Sequence, residues 1–351
     1  MKQRGVFLIG LILISVYYFL FPRVAGKELI VNPDALTDLG SGELNPGVSS
    51  LQNHYLPVRN SRHAAFLGLN HEMLYQYFSD RMAIGNDWIA VSEGDELSLM
   101  EPDGSLIARI DDYGYPVAVD GRLFLYRSDT GILSKIDPAI GTILWRKECI
   151  SDITVIDSRQ GRTLIGYLDG RVQLIDDSGS IILEYRPGGS RIEAIYAGGL
   201  SEDGSKIALV CGLDPQRFVL LEERKNGFRP IAHHDTGTDF RRPVFLSFVR
   251  NGRQVLYENN GFAEVVDLND YDTHSLGLPG KLAVSIDNPV EGTLLLFGKD
   301  KNNTMMRILS RYDLSLFESS VPSDISQITG DRNYALLIGD SSVAVLEFSV
   351  Q

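Results

Sequence analysis

Only two cysteines, Cys149 and Cys211, occur in the 351 residues of this chain. A disulfide framework is excluded, because it needs more sulfur than that, and the two cysteines are too far apart for the close spacing of a paired-thiol zinc site. The two cysteines stand in or beside apolar stretches. They could pair with each other or remain as two buried thiols, and spacing alone does not decide between these. Clusters of basic residues are also missing. Lys and Arg total 33 against 46 Asp and Glu, for a net charge of −13. Residues 1–26 carry Lys2, Arg4 and Arg23 and no acid, so the rest of the chain stands at −16. A body so acidic repels phosphate backbones, which argues against nucleic acid as a partner. Catalytic signatures are absent too: no G-x-S-x-G nucleophile elbow, no H-E-x-x-H, no phosphate-cradling G-x-x-x-x-G-K. The expectation is therefore a protein without catalytic residues or a cofactor, whose function is binding.

Long apolar runs are equally scarce, and the one present is at the start. MKQRG is followed by VFLIGLILISVYYFLF (Val6 to Phe21), sixteen residues without a charge. Basic residues ahead of such a run hold the N-terminus in the cytoplasm and direct the chain beyond the run across the membrane. The run exceeds the usual core of a cleaved signal, ends in bulky aromatics, and meets only a poor cleavage site at Val24-Ala25-Gly26. Residues 1–26 are read as an uncleaved signal anchor, a single transmembrane helix attaching the protein to a bacterial inner membrane with its body in the periplasm. A cleaved signal is the alternative. Residues 27–61 have turn formers every few positions and no period, and are read as an extended linker.

Beyond that point the sequence repeats. Turns followed by short apolar runs begin at NDWIAVSE (Asn86), DGRLFLYRS (Asp120), QGRTLIGYL (Gln160), DGSKIALVC (Asp203), NGRQVLYEN (Asn251), EGTLLLFGK (Glu291) and DRNYALLIG (Asp331). The starts are 34, 40, 43, 48, 40 and 40 residues apart. Asp-Gly and Asn-Gly supply the left-handed residues of tight hairpins. A period near 40 of short strands is the signature of propeller blades. The expected fold is all-β: a seven-bladed β-propeller over residues 62–351, closed by an N-terminal strand and preceded by one transmembrane helix. The seventh unit ends after its third strand. The apolar segment HEMLYQYFS (His71 to Ser79) is expected to supply the missing one, with Met73–Phe78 pairing against Val343–Phe348.

The units resemble the WD40, YVTN and quinoprotein-type propeller superfamily. LSEDGSKIALV (Leu200 to Val210) resembles the turn-and-strand signature of the first two. TGILSKIDPAIGTILW (Thr130 to Trp145) is similar to the quinoprotein repeat, which implies that Trp145 docks on the next blade. Among exported propellers the chain is similar to the lipoprotein that helps assemble outer-membrane proteins, although no cysteine near residues 1–26 could carry a lipid. The resemblance covers residues 71–351 and implies a fold more than a function.

Candidate binding residues come from the loops. AHHDTGTDFRRP (Ala232 to Pro243) gathers His233, His234, Asp235, Asp239, Arg241 and Arg242, types that ligate metals or grip carboxylates. Successive residues in a strand point to opposite faces, so His233 and His234 can act together only if the strand ends there. The turns on the same face carry Asp95, Asp129, Asp169, Asp214 and Asp340, an acidic rim suited to a cation or to a protein partner with a basic surface. The expected role is a protein-interaction platform in an envelope complex. A ligand- or cation-binding sensor is the second reading, and an enzyme with a site in the central channel the third.

Overall fold

The computed structural model describes residues 29–39, 55–68, 71–277, 281–287, 292–299, 303–311, 313–322, 325–331 and 334–350. Every regular element among them is a β-strand, and the strands form eight antiparallel sheets. Blade 1 has three strands, Leu56–Arg59, His63–Leu67 and Met73–Phe78. Blades 2 to 7 each take four consecutive strands, beginning at Met82, Tyr115, Ile153, Ile192, Leu246 and Lys281. Blade 8 combines Ile325–Asp331, Tyr334–Gly339 and Ser342–Val350 with Leu29–Asp38 from the other end of the chain. The first strands of successive blades touch one another, which places them innermost around the axis.

The core is a circle of eight clusters, one at each junction between blades, rather than a single centre. Side-chain alternation causes this, because odd and even positions of a strand face opposite neighbours. Leu164 packs toward blade 5 while Ile165 packs toward blade 3. Leu294 and Leu296 face blade 6, whereas Leu295 and Phe297 face blade 8. A strand buried on both faces reads as a continuous apolar run, as its sequence does. Trp145, 8% exposed on the fourth strand of blade 3, docks on Ile165, Tyr167 and Ile175 of blade 4, as the repeat resemblance implies. Gly179 makes room for it: a Cβ there would lie 2.9 Å from Trp145 Cβ.

Three expectations are corrected. The ring has eight blades, not seven. The repeats account for blades 2 to 8, and blade 1 escapes them because its hairpin turn, Asn60-Ser61-Arg62, comes only 26 residues before the next one and falls outside the period. There the Asn60 carboxamide oxygen accepts the N–H groups of Arg62 at 3.0 Å and His63 at 2.8 Å, doing locally what a left-handed glycine does elsewhere. Second, Met73–Phe78 is the third strand of blade 1, paired with His63–Leu67. The N-terminal strand that closes the ring is Leu29–Asp38, antiparallel to Ser342–Val350 from Leu29 opposite Val350 to Asp38 opposite Ser342. The span read as a linker thus holds this strand and Leu56–Arg59. Third, no helix among the described residues is long and apolar enough to cross a membrane. The transmembrane helix is not part of the described fold, and residues 1–26, which were assigned to it, lie outside the described residues.

Leu39 finishes the closure. It is 2% exposed, its N–H donates to the Ser341 carbonyl at 2.7 Å, and its side chain joins Val343 and Val345 of blade 8 to Val58, Ala65 and Leu67 of blade 1. Cations tie other blades together. Arg162 of blade 4 grips the Glu223 carboxylate of blade 5 through two nitrogens at 2.8 and 3.2 Å. Arg250 of blade 6 reaches Asp313 at 2.6 Å and the Ser310 carbonyl at 2.7 Å in blade 7. Cys149 and Cys211 are separate buried thiols.

Candidate functional site

The His/Asp/Arg segment between blades 5 and 6 is built into the scaffold. His233, His234 and Asp235 end the fourth strand of blade 5, Gly227–Asp235, so the two imidazoles point to opposite faces. His233 Nδ1 lies 2.8 Å from an Arg217 nitrogen, and Asp235 stands 3.7 Å from the same guanidinium. His234 stacks on Phe218 and bonds the Tyr257 hydroxyl at 3.0 Å, and burial holds its pKa below the usual histidine range. Arg242 lies over the Phe240 ring and donates to both oxygens of Glu258, at 3.0 and 2.6 Å. Glu258 is 3% exposed, so this pair fixes the connection to blade 6. Gln216, fully buried, holds the loop from beneath: its Nε2 donates to the Phe240 carbonyl at 3.0 Å, and its Oε1 accepts from Thr238 at 2.9 Å. Asp239 accepts the Asp214 N–H at 3.3 Å, while Arg241 is exposed. The six residues do not converge on a common point.

The acidic rim is largely neutralised where it stands. Asp169 pairs with Arg171 and Arg186, and Asp214 with Arg191. Asp129 accepts the Tyr113 hydroxyl at 2.6 Å, which holds its pKa below the ordinary carboxylate range. Asp95 and Asp340 are exposed in turns between second and third strands.

A second concave site lies on the opposite face, where the turns between first and second strands ring the axis. A cavity of about 670 Å³ opens there, lined by inner-strand and turn residues of blades 3 to 7. Its charged groups are Asp120, Asp157, Glu202 and Asp287 against Arg122 and Arg159. Asp120 sits between the two guanidinium groups, 2.7 Å from Arg122 Nη1 and paired with Arg159. The Asp157 carboxylate accepts the N–H groups of Leu200 at 2.7 Å and Ser158 at 2.9 Å, so it is held rigidly without a cation. Asp287 Oδ2 accepts the Asn251 N–H at 2.9 Å, and its buried Oδ1 has no hydrogen-bond partner among the described residues. Glu202 is exposed at the rim. Gly198 and Gly199 leave bare backbone in the wall, and a Cβ at Gly199 would come within 3.1 Å of Leu246 Cδ2. Four carboxylates face two cations, so the mouth keeps an excess of negative charge and attracts cationic groups.

A protein-family model described as a beta-propeller protein matches residues 1–350. The chain belongs to this beta-propeller family. An uncharacterized protein of Treponema pallidum (strain Nichols) is 29% identical over 182 residues, 52% of this chain and 48% of that one. The chain thus matches about half the length of that relative. Among solved structures, BamB from Moraxella catarrhalis is similar with a TM-score of 0.64 at 11% identity, over 91% of this chain and 100% of that one. A chain of the Mitotic Checkpoint Complex gives 0.58 at 11% identity, over 93% and 98%. The computationally designed Ika8 protein gives 0.63 at 13% identity, over 92% and 100%. At such identities the likeness is one of fold, and the chemistry of this propeller must be argued from its own residues.

Sequence reasoning looked to the face that carries the interblade loops and missed the channel mouth. Its charged residues number at most two per blade, and its carboxylates stand about 40 to 85 positions apart, so no linear motif contains them. Aligning the seven repeats and comparing the few positions around each first-to-second-strand turn would have brought Asp120, Asp157, Glu202 and Asp287 into one region.

Proposed function

We propose that this propeller is an extracytoplasmic binding platform that holds a protein partner in an envelope complex, seating a basic side chain of that partner in the channel mouth. The observation that carries this reading is the negative excess of the mouth, where Asp157 and Asp287 are preorganised by backbone N–H groups without a cation of their own. A fixed carboxylate in a concave site needs little reordering to accept an ammonium or guanidinium group. Rigid scaffolds that display polar groups on turns favour partner docking. The likeness to BamB and to a chain of the Mitotic Checkpoint Complex agrees with a role in assemblies. Export rests on Lys2 and Arg4 ahead of the charge-free run Val6 to Phe21. A small cationic ligand is the second reading, favoured by a cavity volume of about 670 Å³, within the range of small-molecule sites.

One design tests both location and face. Cys149 and Cys211 are buried, so a cysteine introduced as Glu202→Cys or Asp95→Cys is the one that a thiol reagent meets in the native protein. A membrane-impermeant maleimide should label Glu202→Cys in spheroplasts, and a thiol-anchored photo-crosslinker there should give a discrete protein adduct. Asp95→Cys, on the opposite face, should give none. Labelling only after lysis would refute export. An adduct from Asp95→Cys but not Glu202→Cys would refute the mouth, and loss of all adducts with retention of a small molecule would favour the second reading.

A further inference from the structure

The strand that closes the ring brings together three side chains that no linear motif connects. Asp34 lies on Leu29–Asp38, Glu347 on the third strand of blade 8, and His71 in the turn between the second and third strands of blade 1. One ligand atom from each lies within 4.8 Å of the other two. His71 Nδ1 is already 3.2 Å from Asp34 Oδ2, and its side chain is only 11% exposed. Two features aim the groups at one another. The closing strand shifts register between Pro33 and Ala35, so Asp34 is the extra residue of a bulge and leaves the normal alternation. Glu347 lies on the same face of its strand as Val343 and Val345, which pack toward blade 1. His71 itself has φ of 60° and its carbonyl accepts from Thr37 Oγ1 at 3.1 Å, which fixes the turn against the closing strand.

We infer that Asp34, His71 and Glu347 bind a divalent transition-metal ion of the Zn²⁺ class at the seam between blade 8 and blade 1, as a clip on the closed ring. One imidazole nitrogen and two carboxylate oxygens form a borderline-soft donor set that suits Zn²⁺, with water in the fourth position. A site of oxygens alone would favour Ca²⁺ or Mg²⁺ instead. The three ligands meet only when Leu29–Asp38 is docked, so the ion binds the closed ring and not the open one. Binding therefore adds to the stability of closure by linkage.

The test uses the untagged full-length chain, stripped with EDTA and titrated with ZnCl₂ by calorimetry and by thermal unfolding. One ion per chain should bind. At a free concentration about 100 times the dissociation constant, the folding equilibrium should shift about 100-fold toward the native state. His71→Asn keeps a residue that tolerates positive φ and removes the imidazole. That variant and Glu347→Gln should each melt like the metal-free wild type and lose affinity at least tenfold. Absence of binding would overturn the inference, as would binding that both variants leave unchanged. So would Ca²⁺ or Mg²⁺ acting as well as Zn²⁺, because a histidine-containing site would not then be responsible.

Discussion

Leu39 should be the sensitive position of the segment that closes the ring. It is 2% exposed and touches side chains of blades 8 and 1, where the two ends of the chain meet. Leu39→Ala removes three buried carbons from a cluster whose other members are anchored in regular sheet and cannot collapse inward. Such substitutions cost about 2–5 kcal/mol, depending on how much of the cavity relaxes. Leu36, three residues earlier and on the closing strand itself, is 77% exposed, and Leu36→Ala should stay within about 0.5 kcal/mol of wild type. In a domain of this size about 2 °C of melting temperature accompanies each kcal/mol, so Leu39→Ala should lower the midpoint by about 4–10 °C while Leu36→Ala leaves it nearly fixed. Scanning calorimetry on both variants measures the difference, and limited proteolysis reports where it acts. If the loosened side chain frees the strand, new cuts should appear between residues 29 and 55 before any in blades 2 to 7. Equal midpoints for the two variants, with an unchanged cleavage pattern, would show that the seam is not held as described.

Two further outcomes concern buried charge and buried sulfur. Arg242→Ala would leave the 3% exposed Glu258 carboxylate without its cation. Breaking a buried pair costs about 3–5 kcal/mol, and since the Arg242 side chain is 39% exposed the expected loss is about 2–4 kcal/mol. Neighbouring Arg241→Ala should cost less than about 0.5 kcal/mol, and equal denaturation midpoints for the two would show that the pair carries no stability. Burial raises the pKa of the Cys149 thiol and pushes that of Cys211 up to about 12. Between the ordinary thiol pKa of about 8.5 and that value, the unfolded chain has released a proton that the folded chain retains. Stability from Cys211 is therefore intact below about pH 8.5 and lost progressively as pH rises toward 12, and Cys211→Ala should flatten that alkaline decline. An identical decline in wild type and variant would exclude the thiol as its source.

The residues that hid parts of this fold share a physical trait: each does by side chain what the repeats do by backbone. Five of the seven turns were legible because tight hairpins need left-handed residues: Gly121, Gly161, Gly204, Gly252 and Gly292 all have positive φ. Asn60 shapes its turn with hydrogen bonds accepted by its carboxamide oxygen, so that turn shows no glycine. Blade 1 also has only three strands among the described residues, which places its turn 26 positions before the next and outside the period. The closing strand was obscured by Pro33 and the bulge at Asp34, which break the two-residue alternation. Proline is tolerated there because the strand lies at the outer edge of its sheet. The interblade loop misled in the other direction. His, Asp and Arg in one segment suggest ligation, but composition does not say where a side chain ends. Arg242 finds its partner 16 residues on, in the next blade, and His234 finds an aromatic stack. A ring also sets how a site at its axis must be encoded. Every blade contributes one edge to the channel, so a binding surface there is spread over the whole chain at the spacing of the blades. Linear motifs cannot show such a surface. It becomes legible when the repeats are aligned and the charges around each turn are compared blade by blade, because the fold's symmetry gathers equivalent turns into one ring.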